Sequence, residues 1–170
     1  MEIRPATVDD VPAVLPMVRK IASMHEQLDP AKYTFRSDPG EMYRGWLAQR
    51  ATASNSVFLV ADAGGAPSRL AGFLVGTVEA ELPIYRLKEL GFIHDLWVEE
   101  DYRHEGIGRQ LVTVAMEKFR QIGVPQIRCD TAWANQAARN LFKSCGFRPS
   151  VVEMLVEFGK TRPANVEETA

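Results

Sequence analysis

The groups best suited to handling a charged ligand are concentrated between Phe92 and Arg109. Phe92 to Val98 reads as a strand. A short acidic connection follows, and then Arg103-His104-Glu105-Gly106-Ile107-Gly108-Arg109 leads into a strongly periodic helix. Two glycines one residue apart let the backbone come close to a ligand. The helix start behind them presents unpaired N–H groups and the positive end of the peptide dipole. Arg103 and Arg109 add full charges, so the stretch has the parts of a pyrophosphate cradle.

Several glycine-turn chemistries compete for this stretch. A P-loop requires Gly-Lys-Ser/Thr, whereas Gly108 is followed by Arg109-Gln110, which excludes it. A dinucleotide fingerprint requires a third glycine where Leu111 stands, although Asp130 does close the next strand. That reading stays as a minor alternative, as does a glycine turn with no ligand. The remaining pattern is Arg-x-x-Gly-x-Gly after a strand ending in Leu-x-Val.

Helices and strands in alternation must position this segment. Ile3 to Ala6 reads as a first strand, and Thr7-Val8-Asp9-Asp10 supplies helix-start chemistry. Val11, Val14, Leu15, Val18, Ala22, His25 and Leu28 then share one helical face, ended by Asp29-Pro30. Pro12 suits the first turn, whereas Pro16 is expected to kink the helix or displace its start. A second helix is expected from Pro39 to about Arg50, with Met42, Trp46 and Leu47 as its apolar side. Ser56–Asp62 and Leu70–Glu79 read as an antiparallel hairpin around Gly64-Gly65-Ala66-Pro67.

The clearest helix runs from Glu105 to Ile122, with Ile107, Leu111, Ala115, Phe119 and Ile122 as its stripe. Gly123-Val124-Pro125 stops it, and Gln126 to Thr131 is a further strand. Asn135 caps a helix carrying Ala138, Leu141, Phe142 and Cys145 on one face, and Gly146 closes it. Val151 to Phe158 is expected to return as a last strand. One domain over residues 1–158 and a polar tail over 159–170 follow.

Composition narrows the function classes. Of 170 residues, 46% are apolar and 25% charged, which excludes a disordered chain, a collagen-like fibre and a coiled-coil rod. A chain of this length buries roughly 68–70% of its unfolded surface, so it needs neither disulfides nor a metal to fold. The net charge of −2 is of the wrong sign for a general nucleic-acid binder. Cys129 and Cys145 make no disulfide scaffold and lack zinc-site spacing, so no metal is expected. Met1-Glu2-Ile3-Arg4 opens no signal peptide, and no apolar run approaches the ~18 residues of a membrane span. A cytoplasmic location without a membrane partner is the expectation.

The sequence resembles the GNAT superfamily of N-acetyltransferases. The likeness rests on Leu96-Trp97-Val98, on Arg103-His104-Glu105-Gly106-Ile107-Gly108, and on Asn135-x-x-Ala138-x-x-Leu141-Phe142-x-x-x-Gly146-Phe147, with the order of elements agreeing from Ile3 to about Phe158. It implies an α/β (α+β) fold: a mixed, mostly antiparallel central sheet with a splayed strand pair, flanked by about four helices. Acetyl-coenzyme A would lie in the split as cosubstrate. Its pantetheine would pair with the backbone of Leu96, Trp97 and Val98. Its pyrophosphate would rest beside Arg103 on the amides of His104, Glu105, Gly106, Ile107, Gly108 and Arg109. Asn135 would touch the pantetheine arm besides capping its helix. A homodimer is compatible with the resemblance.

The implied reaction moves acetyl from the thioester directly to an amine. Making a lysine-like amine neutral at pH 7 costs roughly 4.6 kcal/mol, so a base or a water chain to one is needed. His94 and Asp95 are adjacent on a strand and are expected to face opposite sides of the sheet. His94 shares its parity with Leu96 and Val98 and is the leading base. Asp95, and Glu79 or Glu81 acting through water, are the alternatives. By the resemblance, the N–H of Val98 would hold the oxyanion.

The family commonly has Tyr where Phe142 stands, to protonate the departing thiolate. A thiol of pKa about 8.5 leaves tolerably without that acid. Ser144 and Cys145, within a turn of Phe142, are substitute donors. Glu79, Glu81 and Asp95 would favour a cationic acceptor such as a polyamine, an aminoglycoside or a protein lysine; a solvated strand edge explains them equally. Trp97 and Trp133 are candidate groove walls, with Tyr33, Phe35 and Tyr43 as a roof. The leading reading is an acetyl-coenzyme-A-dependent N-acetyltransferase. A non-catalytic acyl-coenzyme A sensing module, motivated by Phe142, is the alternative.

Overall fold

The computed structural model describes residues 1–35, 38–65 and 69–159. A five-stranded sheet is ordered β1 (Glu2–Pro5), β2 (Ser56–Asp62), β3 (Leu70–Ala80), β4 (Glu89–Val98) and β5 (Ile127–Cys129). The first three pairings are antiparallel and β4–β5 is parallel, giving the mixed sheet that the sequence implied. Four α-helices among the described residues cover it: α1 (Val11–Leu28), α2 (Pro39–Arg50), α3 (Ile107–Ile122) and α4 (Gln136–Ser144).

Each sheet face has its own core. On one, Val11, Val14, Leu15, Val18 and Ile21 of α1 and Leu47 of α2 meet Phe58, Phe73, Val75 and Trp97. On the other, Ile107, Leu111, Ala115 and Phe119 of α3 and Phe142 of α4 meet Leu59, Leu74 and Ile93. Coverage of both faces explains why β2 and the first half of β3 read as almost unbroken apolar runs.

Phe119 presses on the sheet where side chains are missing. A Cβ on Gly76 would stand 2.6 Å from the Phe92 carbonyl oxygen and 2.9 Å from the Phe119 ring. Gly76→Ala is therefore expected to lower unfolding stability by about 1–3 kcal/mol in a denaturant titration.

Several sequence expectations need correction. α1 runs from Val11 through Pro16 to Leu28, so Pro16 does not displace its start. The carbonyl that Pro16 leaves without a donor is that of Pro12, still in the first turn. Met42 is exposed, and the inward side of α2 is Tyr43, Trp46 and Leu47. The buried stripe of α3 stops at Phe119, because Ile122 is 40% exposed. β5 is only Ile127–Cys129.

Val151 to Phe158 forms no strand, and its apolar side chains are exposed. β-branched composition supplies propensity but does not choose a face, and Val151-Val152-Glu153-Met154-Leu155-Val156 lacks the alternation that would. Glu153 instead pairs with Lys32 at 2.6 Å. Ala66 and Pro67 of the expected turn, and the tail beyond Gly159, lie outside the described residues.

Candidate active site

The site is set by a counting mismatch between β3 and β4. Val75 pairs with Asp95, but the next residue, Gly76, pairs with Ile93. His94 is therefore an extra residue, a bulge. Strict alternation would send His94 and Asp95 to opposite faces, as the sequence reading assumed. With the bulge, both turn towards α2. The His94 ring lies edge-on to Trp46 at 5.2 Å, and the Asp95 carboxyl accepts a hydrogen bond from the Tyr43 hydroxyl. Leu96 and Val98 pack on the α3 side instead, so His94 does not share their direction.

Beside the bulge the sheet opens. β5 follows β4 only through Gly91, Phe92 and Ile93, whose last partner is Cys129. β4 continues alone to Val98. Glu99 donates its N–H to Ala71 of β3, so by alternation Val98 and Leu96 direct their backbone groups to the open side. The Val98 carbonyl there accepts a bond from Arg103 Nε at 3.0 Å. A splayed pair thus leaves unpaired β4 backbone where the sequence placed the pantetheine.

The turn into α3 leaves its backbone amides free. His104 and Gly106 both adopt left-handed backbone, with φ of 67° and 82°. The first α3 amide with a backbone partner is Gln110, bonded to the Gly106 carbonyl. Among the described residues, no backbone amide from His104 to Arg109 donates a hydrogen bond. Six consecutive free N–H groups at a helix N-terminus form a site for oxyanions.

The two glycines of this turn differ in purpose. Gly106 supplies the positive φ, whereas a Cβ on Gly108 would come within 3.1 Å of Leu141, so Gly108 is where α3 and α4 touch. The arginines are already engaged. Arg103 lies 4.7 Å from the Trp97 ring, and Arg109 donates to the Ser144 carbonyl at the end of α4. Asn135 caps α4, its side chain accepting from the Ala138 amide at 3.0 Å.

His94 is the most elaborated ionisable group. Its Nε2 lies 2.7 Å from Thr77 Oγ1 and 3.2 Å from Glu79 Oε1, and Thr77 Oγ1 is 3.2 Å from the same Glu79 oxygen. When the threonine hydroxyl donates to Glu79 it accepts from Nε2–H, which leaves the lone pair on Nδ1. Among the described residues Nδ1 has no hydrogen-bond partner. Burial holds the His94 pKa below its usual value; Glu79 pulls the other way, and the Arg50 charge adds to the lowering. The His94 imidazole is therefore mostly neutral at pH 7.

Asp95 is buried, and burial pushes its carboxyl up to about 6, with the Tyr43 hydroxyl opposing. Its Oδ2 has no partner. Of the other acids, Glu79 touches His94 directly, without a water between. Glu81 is taken up by Arg128 at 2.6 Å. Trp97 is core and Trp133 is 72% exposed beside Arg139, so neither walls a groove shared with the other. Tyr43 does cover Asp95, while Tyr33 stacks on His25 at 4.7 Å. Phe142 is buried against Phe147. Thr77 and Trp46 were missed, because only the bulge brings His94 to them.

A cleft of about 820 Å³ also opens between α1 and the β4–α3 connection. Its charges are mutually satisfied, Lys20 with Glu99 at 2.7 Å and Arg69 with Asp101 at 3.3 Å. The unpaired amides and the His94 cluster are the features left with unused hydrogen-bonding capacity.

The mixed sheet with its parted strands has the arrangement that the sequence resemblance implied, and the acetyltransferase (GNAT) family model matches residues 21–147. The chain belongs to the GNAT family. Human N-acetyltransferase 8 is 28% identical over 115 residues, covering 68% of this chain and 47% of that protein. N-alpha-acetyltransferase 30 of Saccharomyces cerevisiae is 34% identical over 74 residues, 43% of this chain and 42% of that protein. The GNAT chain described here thus aligns with less than half the length of these relatives. A mutant of the BH1408 protein from Bacillus halodurans has the same fold, with a TM-score of 0.79 at 23% identity over 92% of this chain and 99% of that one. No helix among the described residues is long and apolar enough to cross a membrane.

Proposed function

We propose that this GNAT protein moves an acetyl group from acetyl-coenzyme A to a primary amine. The observation that carries the reading is the coincidence of two features. Six free amides, His104 to Arg109, stand where β4 has parted from β5. A doubly charged nucleotide tail on those amides leaves its extended arm along Leu96 to Val98, ending at the bulge. In this reading the Arg103 and Asn135 side chains shape the receptor, and their own bonds are to protein groups.

The chemistry follows from the groups at that end. His94 Nδ1 takes the proton from the incoming ammonium, and the Thr77–Glu79 pair holds the ring and shares the resulting charge. The amine nitrogen attacks the thioester carbonyl. Its oxygen gathers negative charge facing the Leu96 N–H, the open-side amide at the bulge end of the arm, while the Val98 N–H that the resemblance implied lies nearer the nucleotide end. The C–N bond forms, the C–S bond breaks with its electron pair leaving on sulfur, and the second nitrogen proton, released as the amide forms, passes to the departing thiolate or to water. Phe142 offers no proton, and none is needed for a leaving group of this acidity. Burial pushes the Cys129 thiol at the end of the split up to about 12, so it stays protonated and an acetyl-cysteine intermediate is disfavoured.

Calorimetry with coenzyme A tests the receptor. Gly106→Val forces a β-branched residue into a backbone with φ of 82° and is expected to weaken binding by tenfold or more. Unchanged affinity would remove the receptor from this turn. The buried Phe142 favours a second reading, an acyl-coenzyme A sensor. Tight binding without thiol release on any amine would establish it.

A further inference from the structure

The charge around His94 is not the uniformly acidic lining that Glu79, Glu81 and Asp95 imply in the sequence. Glu81 is neutralised by Arg128, and Asp95 is buried beneath Tyr43. Glu79 is the acid that remains at the imidazole, with its side chain 44% exposed. Opposite it stands a cation. Arg50, the last residue of α2, places its guanidinium 5.5 Å from the Trp46 ring, which also meets the His94 ring at 5.2 Å and the Tyr43 ring at 5.4 Å.

Arg50 lacks the partners an arginine normally has. Among the described residues it makes no ion pair, and its one hydrogen bond is a long contact of 3.5 Å to Gln49. Its Nε is buried with no partner at all. Neighbouring arginines are not left so: Arg44 is held by Glu41 at 2.8 Å and Arg19 by Asp38 at 2.7 Å. A half-buried guanidinium with unused donors, one aromatic ring away from the base, is arranged to accept an anion.

We infer that Arg50 binds an anionic group of the acceptor, so that the acceptor is a primary amine carrying a carboxylate or phosphate rather than a polycation. The inference rests on the acetyltransferase reading of the same site. Glu79 and His94 receive the ammonium, and Arg50 receives the anion across the face of Trp46. A polyamine would bring a second positive charge against Arg50 and be disfavoured.

Matched acceptors test this: 5-aminopentanoate and an aminoalkyl phosphonate against pentylamine, with acetyl transfer followed by free thiol. One or both anionic amines are expected to exceed pentylamine in kcat/KM by about 10- to 100-fold, the worth of a charge-assisted contact. Whichever is preferred identifies the anion. Arg50→Gln is expected to collapse that ratio towards one, Arg50→Lys to keep part of it, and Arg50→Glu to invert it. A wild-type ratio near one, or a preference that survives Arg50→Gln, overturns the inference.

Calorimetry of the same amines on coenzyme-loaded protein reads the preference without turnover. Anion-dependent binding that Arg50→Gln abolishes would sustain the inference even if no acetyl moved, and the transferase reading alone would then fall. Absence of any anion preference in binding would remove the inference while leaving an active enzyme as it is.

Discussion

His94→Gln is expected to lower kcat by about 10²- to 10⁴-fold while leaving coenzyme A affinity within a few-fold of wild type. Glutamine keeps a polar side chain of similar reach beside Thr77 but has no lone pair that takes a proton near neutral pH. Coenzyme binding is assigned to the amides of His104 to Arg109, on the far stretch of the β4–α3 connection, so it should not register the change. The pH profile carries a second signature. Because burial lowers the His94 pKa, wild-type kcat/KM should level off before neutral pH, rising as the imidazole loses its proton. Glu79→Gln removes the charge that favours imidazolium, so its rise should move to lower pH with a modest loss of rate. Single-turnover acetyl transfer measured from pH 5 to 9 checks both. A His94→Gln enzyme with wild-type kcat would exclude the histidine as base.

Asp95→Asn is expected to stabilise the protein at pH 7 and above, and not at pH 4. A carboxyl pushed from an ordinary 3.8 to about 6 binds its proton more tightly folded than unfolded. The stability this provides is complete below about pH 4 and is lost as pH rises through about 6. Above that, the buried ionised carboxylate costs about 3 kcal/mol. Asparagine cannot ionise and its amide oxygen can still accept from Tyr43, so the penalty disappears. For a chain of this size that is a rise in Tm of roughly 5–10 °C at pH 7.5. Melting curves for the two proteins between pH 4 and pH 8 should converge on the acidic side. Equal destabilisation at every pH would mean that the carboxyl supplies packing and nothing else. The variant also separates the candidate bases: if Asp95 rather than His94 takes the proton, Asp95→Asn abolishes turnover and His94→Gln does not.

How far the sequence reaches depends on which interactions are local. The helix expected from Pro39 to about Arg50 matches α2, although Met42 of its expected apolar side is exposed, and the Arg103-to-Gly108 motif located the turn whose amides are free. Those features follow from neighbouring residues: a proline at a first turn, and glycines where φ is positive. The direction of His94 does not. It depends on one residue of slippage against β3, and nothing in Ile93-His94-Asp95 announces a bulge. The expected opposition of His94 and Asp95 failed for that reason, and Thr77, Glu79 and Trp46 could not be assembled around the imidazole. Arg50 was invisible for a related reason, since its lack of a partner is a property of the folded surroundings. Val151–Phe158 shows the opposite error, in which composition proposed a strand that no neighbouring edge completed.

The bulge makes the reactive centre depend on parity as well as on residue identity. Adding one residue to β3 after Val75 would give His94 a partner across the ladder and return both strands to even counting. Either His94 would then turn to the α3 side while Ile93 leaves it, or His94 would stay and Asp95 and Trp97 would turn away from α2, so one half of β4 changes face with no functional group replaced. Among relatives of this fold, then, a gap of length one at this spot is a larger event than most replacements. Two chains with the same histidine can differ in whether it faces the acceptor at all.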